Sequence, residues 1–301
     1  MDYKNINKYD GEMSSSDLCD AIIEARTIDI PEVRDAAKML VEDLRDSILN
    51  ASNLYYLKNV VTNSPHINEH FSVFLFDDMY YAEKFVEKNA LVKFEIVSVK
   101  PDAYASMFSQ LYDCGADGID YCNDNGSVTF GIEHYFLSDD YNRNLCSARN
   151  LTRFILLCMQ EIRNVDRQYE RKDEIVMLLK KNIIAESLSA QVLIPVRSDG
   201  QNVDNQLVNV ASGTQMNIAT MNTPDNAVFF PVFTNVSEFN KNPIPGLRLA
   251  ATSMISYIEF VYNLASNNES VFGFAINPNT VNFAMNKGIM EIILNNKKSN
   301  S

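Results

Sequence analysis

Three histidines, five cysteines and a run of aspartates between residues 113 and 124 are the side chains in this sequence best suited to chemistry. An acyl- or proton-transfer enzyme needs a base held beside a nucleophile. His66 and His70 have the i, i+4 spacing of a helical metal pair, but Pro65 and its surrounding turn disfavour a helix there. His134 closes a predicted strand, so all three read as surface or hydrogen-bonded histidines. Asp113, Asp117, Asp120 and Asp124 imitate a calcium loop. With Gly126 at the loop's sixth position, however, Tyr121 falls where the first carboxylate must be. Alternating solvent-facing aspartates that run into an Asn123-Asp124-Asn125-Gly126 turn are the simpler reading.

Asp77-Asp78 and Asp139-Asp140 are adjacent pairs. Neighbouring side chains point apart, so each pair suits a helix cap better than an acid and base. No glycine-rich phosphate loop occurs. The cysteines are Cys19, Cys114, Cys122, Cys146 and Cys158. Their odd number and the absence of any Cys-x-x-Cys pair signal neither a disulfide framework nor a zinc knuckle. Cys158 lies within an apolar run, where a thiol behaves as a small hydrophobe. No catalytic residue, no metal and no cofactor is therefore expected.

The chain has 301 residues, nearly half of them apolar, enough for two domains with real cores. Its net charge of −13 argues against nucleic acid and against anionic lipid. The charge is uneven: residues 1–57 carry −6, 58–137 carry −7, 138–181 carry +2 and 182–301 carry −2. The first residues lack a signal peptide's basic and apolar regions, and no apolar stretch approaches the ~20 residues of a membrane span. A cytoplasmic protein is expected.

Hydrophobic period supplies the elements. Residues 1–14 read as disordered. Pro31 opens a helix with Val33, Ala37, Leu40, Leu44 and Ile48 near one face. Strands are predicted at 53–61, 71–76 and 91–99, with Asp77 and Asp78 capping a helix after the second. Tyr104, Phe108, Leu111 and Tyr112 mark the next helix, and two strands follow around the Asn-Asp-Asn-Gly turn. Residues 141–186 read as helical throughout, with Leu156 and Leu157 buried and the charged stretch 164–174 a solvated helix joining two domains. The plan then returns. A strand at 191–196 leads to a hairpin centred on Gly213. A strand at 226–233 follows, with Pro231 placing it at an edge or near its end. Thr234 or Asn235 caps a helix, and a strand at 247–251, a helix with Met254, Ile258, Val261, Tyr262 and Ala265 on one face, two strands and a last helix complete it.

The halves thus read as a diverged repeat. Phe76-Asp77 matches Phe233-Thr234. Tyr104, Phe108 and Leu111 match Ile258, Tyr262 and Ala265. Gly118-Ile119 matches Gly273-Phe274, and Val128 and Phe130 match Val281 and Phe283. The element order predicts an α+β fold, a mixed sheet with packed helices.

The second half resembles a known family. The strand end Pro231-Val232-Phe233-Thr234 and the turn Ile276-Asn277-Pro278, in a stretch of about residues 178–295, resemble the N-terminal domain of the SseB family, named for enhanced serine sensitivity. Val73–Phe85 in the first half resembles a variant of the same strand end and helix. The resemblance implies a cytoplasmic bacterial α/β domain with no established catalysis. Many family members pair one such domain with a different C-terminal domain, whereas two related units are expected here.

The domain reading is a disordered and helical start (1–50), a first SseB-like unit (51–140), a helical connector (141–186) and a second SseB-like unit (187–301). The functional expectation is a non-enzymatic protein-interaction or adaptor module whose partner is another protein. The alternative is a sensor of a small polar, amino-acid-like ligand. Ligands favour the carboxyl ends of strands in α/β sheets, which singles out Thr234, Asn235 and Asn277, the last on an exposed turn, as candidate binding residues.

Overall fold

The computed structural model describes residues 13–28, 30–138, 148–197, 207–208, 217–224, 226–243 and 245–299, and the chain divides into two units, Met1–Tyr141 and Asn142–Ser301. Cys146, Asp139, Asp140, Gly213 and most of the N-terminal segment expected to be disordered lie outside the described residues.

The first unit starts with a helical pair, α1 (Ser15–Arg26) and α2 (Pro31–Asn50), packed on each other. Ser14 and Asp17 form a reciprocal capping box at the start of α1, satisfying backbone N–H groups that the helix leaves unpaired. Leu18 and Ile22 of α1 and Leu40, Leu44 and Ile48 of α2 are buried. There follow β1 (Leu54–Asn59), the short β2 (Ser64–Pro65), β3 (Ser72–Phe76), α3 (Met79–Lys88), β4 (Phe94–Val99), α4 (Tyr104–Asp113), β5 (Gly118–Cys122), β6 (Ser127–Gly131) and α5 (Ile132–Tyr135). The sheet order is β4-β1-β3-β5-β6. β1 is antiparallel to β4 and β3, β3 is parallel to β5, and β5 is antiparallel to β6. β2 pairs with the end of β1 at Lys58 and Asn59. Leu57, Phe76 and Ala82 form one buried cluster, with Phe74, Phe85, Phe94 and Ile96 packed against it.

The second unit also begins with a helical pair, α6 (Arg149–Arg163) and α7 (Lys172–Ser187). Its strands and helices are β7 (Gln191–Arg197), β8 (Leu207–Val208), β9 (Asn217–Ile218), β10 (Met221–Asn222), β11 (Val228–Val232), α8 (Val236–Asn240), β12 (Leu247–Ser253), α9 (Met254–Asn267), β13 (Val271–Ile276), β14 (Phe283–Asn286) and α10 (Lys287–Ser299). β7 pairs antiparallel with β12. It is joined to the next strands by an antiparallel bridge between Leu193 and Phe233, with N–H···O bonds of 2.8 Å in both directions. β11 is parallel to β13, and β13 is antiparallel to β14. Through the bridge, the strand order is β12-β7-β11-β13-β14.

Order and strand sense are therefore the same in both units, and registers align them. Tyr55 faces Phe76 where Leu193 faces Phe233, and Ser72 faces Gly118 where Phe229 faces Gly273. Even β2 has its counterpart: β9 pairs with the end of β7 at Val196 and Arg197. The last strands align two residues away from the sequence-based match. Phe130 faces Ile119 as Met285 faces Phe274, so Val128 and Phe130 correspond to Phe283 and Met285. The buried residues of α4, Tyr104, Met107, Phe108 and Leu111, have the spacing of Met254, Tyr257, Ile258 and Val261 in α9. That alignment replaces the one through Tyr262, which is only half-buried.

Other local expectations change. Residues 164–171 break the helix expected to run unbroken through 141–186. Lys172 Nζ closes the break by donating to the carbonyls of Asn164 (2.7 Å) and Arg167 (2.8 Å). The two helices lie within the second unit, and Arg163 donates to the Val281 carbonyl at 2.7 Å. Leu156 is buried but Leu157 only half-buried. β8 and β9, the two sides of the expected Gly213 hairpin, do not pair with each other. β8 lies parallel to β12 and β9 antiparallel to β7, on opposite margins of the β12-β7 pair. Pro231 is near the end of its strand, but the strand lies between β7 and β13. Its missing N–H falls on the β7 side, between the bridges made by Phe229 and Phe233, so the parallel β11-β13 ladder loses no donor.

Candidate functional site

The structure brings the three candidate residues together at the carboxyl end of β11. The Thr234 N–H donates to Asn277 Oδ1 at 3.0 Å, and Asn277 Nδ2 donates to Thr234 Oγ1 at 2.8 Å. The Asn277 N–H donates to the Val232 carbonyl at 2.8 Å. Asn277 has φ +47°, a left-handed conformation that asparagine tolerates better than most residues. Asn235, not Thr234, caps α8: its Oδ1 accepts from the Glu238 N–H at 2.8 Å. Thr234, Asn235 and Asn277 are 0%, 3% and 1% exposed. The Ile-Asn-Pro turn is thus enclosed rather than exposed, because its asparagine folds back onto the strand end.

Two residues that sequence reasoning missed complete this corner. Glu238 is buried, accepts from Lys241 Nζ at 2.6 Å and takes the Thr280 hydroxyl on its other oxygen. The Asn277 carbonyl accepts from the N–H groups of Thr280 (3.0 Å) and Asn282 (2.9 Å). The signal for Glu238 was present: Asn235 followed three residues later by a glutamate is the spacing of a helix N-terminus. Nothing local could have announced Thr280.

The corner is covered by its own unit. The Ala148 N–H, immediately before α6, donates to the Thr234 carbonyl at 2.9 Å. In the first unit, Asp77 occupies the place of Thr234. Tyr121 Oη donates to Asp77 Oδ1 at 2.7 Å. Asn123 Nδ2 donates to the Ser16 carbonyl at 3.1 Å and to Asp20 Oδ1 at 2.7 Å, so the first turns of α1 lie on that strand end. Burial, with the Asp77 carboxylate adding to it, pushes the Tyr121 phenol far up, and burial pushes the Cys19 thiol up to about 12. Both groups stay neutral at ordinary pH, which suits packing rather than nucleophilic chemistry.

The other candidates are dispersed. His66 is buried against Phe94 and Phe74 and lies 3.3 Å from Asn59 Nδ2, while His70 and His134 are exposed. His134 sits in α5, just past the strand it was expected to end. Asp120 does not face solvent, as the alternation suggested. It is buried and accepts from Asn68 Nδ2 and Thr129 Oγ1, both at 2.7 Å, while Asn68 Oδ1 takes the N–H groups of His70 and Ser72. This network pins the loop between β2 and β3. Among the described residues, no group of three or more His, Cys, Asp or Glu is placed to hold a metal. A groove of about 510 Å³ beside α1 is lined by Asp17, Asp20, Ile23, Glu24, Thr27 and Asn125. The amides of Asn123 and Asn125 already occupy the Asp20 carboxylate.

Residues 176–284 match the family model of the SseB protein N-terminal domain. The SseB match starts inside α7, ends in β14 and contains the whole corner of Thr234, Asn235, Glu238, Asn277 and Thr280. No curated protein and no solved structure matches the chain. Among the described residues, no helix is long and apolar enough to cross a membrane.

Proposed function

We propose that this chain is a non-enzymatic, cytoplasmic protein-interaction module built from two diverged copies of an SseB-like unit, each with a helical pair and a sheet that shares the same order of five strands. The observation that carries this reading is the occupied strand end. In an open α/β sheet, a small ligand is expected at the carboxyl ends of the strands. Here Thr234 and Asn277 fill that place with mutual hydrogen bonds and almost no exposure. The equivalent place in the first unit is taken by Tyr121, Asp77 and the start of α1. Apolar side chains stand instead on outer surfaces. Ile175, Met177 and Leu178 of α7 are 38%, 60% and 57% exposed, and Phe272 packs in a tilted arrangement on Phe229, ring centroids 4.8 Å apart, while 45% exposed. Exposed apolar groupings of this kind favour protein partners. The shared strand order and register support the duplication.

The test pairs two measurements on the full chain. Affinity capture from native cytoplasm should retain a protein partner in stoichiometric amount. A thermal-shift screen of amino acids and nucleotides should give no shift. A ligand at 100 times its Kd adds about 2.7 kcal/mol of stability, a readily seen rise in Tm. Such a rise with an amino acid, and no captured protein, would replace this reading by the sensor.

A further inference from the structure

β4 is an edge strand whose outer side pairs with no strand among the described residues. The Val60 N–H donates to the Lys93 carbonyl. By alternation of the antiparallel ladder, Glu95, Val97 and Val99 direct their backbone groups to β1, and Phe94, Ile96 and Ser98 direct theirs outward. The Leu57 carbonyl, opposite Ile96, accordingly turns away from β4 and accepts from His66. The strand is six residues long, without proline and without a break in register. Proline and a break in register are two of the devices by which edges are usually blunted, and β4 has neither.

The second unit records what such an edge takes. β12 is the counterpart of β4, and Leu249, opposite Pro195, is the counterpart of Ile96, opposite Leu57. On the outer side of β12 lies β8, with Leu207 facing Leu249 and Val208 facing Ala250 in parallel. β8 comes from the segment between β7 and β9, residues 198–216, where the first unit has only residues 60–63 between β1 and β2. The first unit therefore has the edge but is too short in this connection to supply its own strand.

We propose that the outer edge of β4, centred on Ile96, binds an extended, uncharged apolar peptide segment of a partner protein, added parallel to β4 as β8 is added to β12. Main-chain N–H and C=O groups of Phe94, Ile96 and Ser98 supply the hydrogen bonds, and small apolar side chains of the Leu-Val type lie beside Phe94 and Ile96. This rests on the interaction-module reading and names the chemistry of one contact within it.

The probe is a fluorescent synthetic peptide of residues 205–212, an uncharged stretch that carries the Leu207-Val208 strand. Binding to the full chain is read by anisotropy and compared with Ile96→Pro. The Ile96 N–H faces outward, so the substitution removes an edge donor without removing a β1 ladder bond. Thermal melting establishes that the variant is folded. We expect the wild-type chain to bind the peptide, and Ile96→Pro, which also gives up packing on the Leu57-Phe76 cluster and so melts lower but still cooperatively, to bind it at least about tenfold more weakly at a temperature where both are folded. Hydrogen exchange provides a readout that needs no variant: the Ile96 and Ser98 amides of the wild type should exchange quickly alone and be slowed by the peptide. The proposal is overturned by no peptide binding, by equal binding to the variant, or by peptide binding that leaves these two amides unprotected. A concentration-dependent dimer that Ile96→Pro abolishes, with no peptide binding, would assign the edge to a second copy and also overturn it. If a captured protein partner binds wild type and Ile96→Pro equally, the module reading stands and the edge proposal fails.

Discussion

Asn277 meets two demands that few residues satisfy together: a left-handed backbone and a side chain that donates to and accepts from Thr234. Removing its amide leaves the Thr234 N–H and hydroxyl buried without those partners. Asn277→Ala should therefore cost about 2–4 kcal/mol, more than the ~1 kcal/mol of a lost helix cap in Asn235→Ala. Denaturant titration of the two variants checks the order, and equal losses would mean that the corner relaxes freely. Tyr257 offers the opposite case. Its ring is buried against Phe274, and its hydroxyl has no hydrogen-bond partner among the described residues. Burial alone pushes its phenol up. Tyr257→Phe removes a polar atom that folding desolvates without return, so stability should stay level or rise by up to about 1 kcal/mol. A loss above that size on chemical denaturation would reveal a partner for the hydroxyl.

At the scale of elements, the two sheets depend unequally on equivalent glycines. Gly273 has φ +154°, and a Cβ there would lie 2.0 Å from the Met285 carbonyl oxygen, because β14 crosses it at that point. Its counterpart Gly118 meets the movable Ser72 hydroxyl at 2.6 Å, though the Phe130 carbonyl oxygen is also 3.2 Å away. Gly273→Ala combines backbone strain with a main-chain clash and should cost about 3 kcal/mol or more. Gly118→Ala should cost clearly less, since a rotamer change at Ser72 relieves the nearest contact. Urea midpoints of both variants test the ranking, and a similar loss in each would remove the argument from strand approach.

For the whole chain, the helical pairs decide where an independent unit begins. α6 and α7 are not a tether to be trimmed: Ala148 bonds the Thr234 carbonyl, Arg163 bonds the Val281 carbonyl, and Ile155, Leu156 and Cys158 are buried. A fragment of residues 142–301 should unfold cooperatively on heating. A fragment of residues 187–301, although it keeps every strand of the sheet, should lack a cooperative transition because its strand-end corner is uncovered. Calorimetry of the two fragments distinguishes them, and a cooperative melt of the shorter one would return 141–186 to the role of a connector.

The sequence by itself determined the strands and helices that carry a clear period. Tyr104, Phe108 and Leu111 are buried on one face, the Asn123–Gly126 turn closes a hairpin, and the strand end at Phe233 runs into a capped helix. It also carried the SseB resemblance of the second half, because this depends on local order and short spacing. Contacts between distant residues were decided only by the tertiary structure. Asn277 lies 43 residues from Thr234, and Asp120 lies 52 from Asn68. A turn asparagine and a strand aspartate look solvent-facing until the partner that buries them is known. The same holds for 207–208 and 217–218, whose pattern suits a hairpin but whose backbone bonds go to different strands. Period tells a strand which face is apolar, and it says nothing about which neighbour will satisfy its N–H and C=O groups.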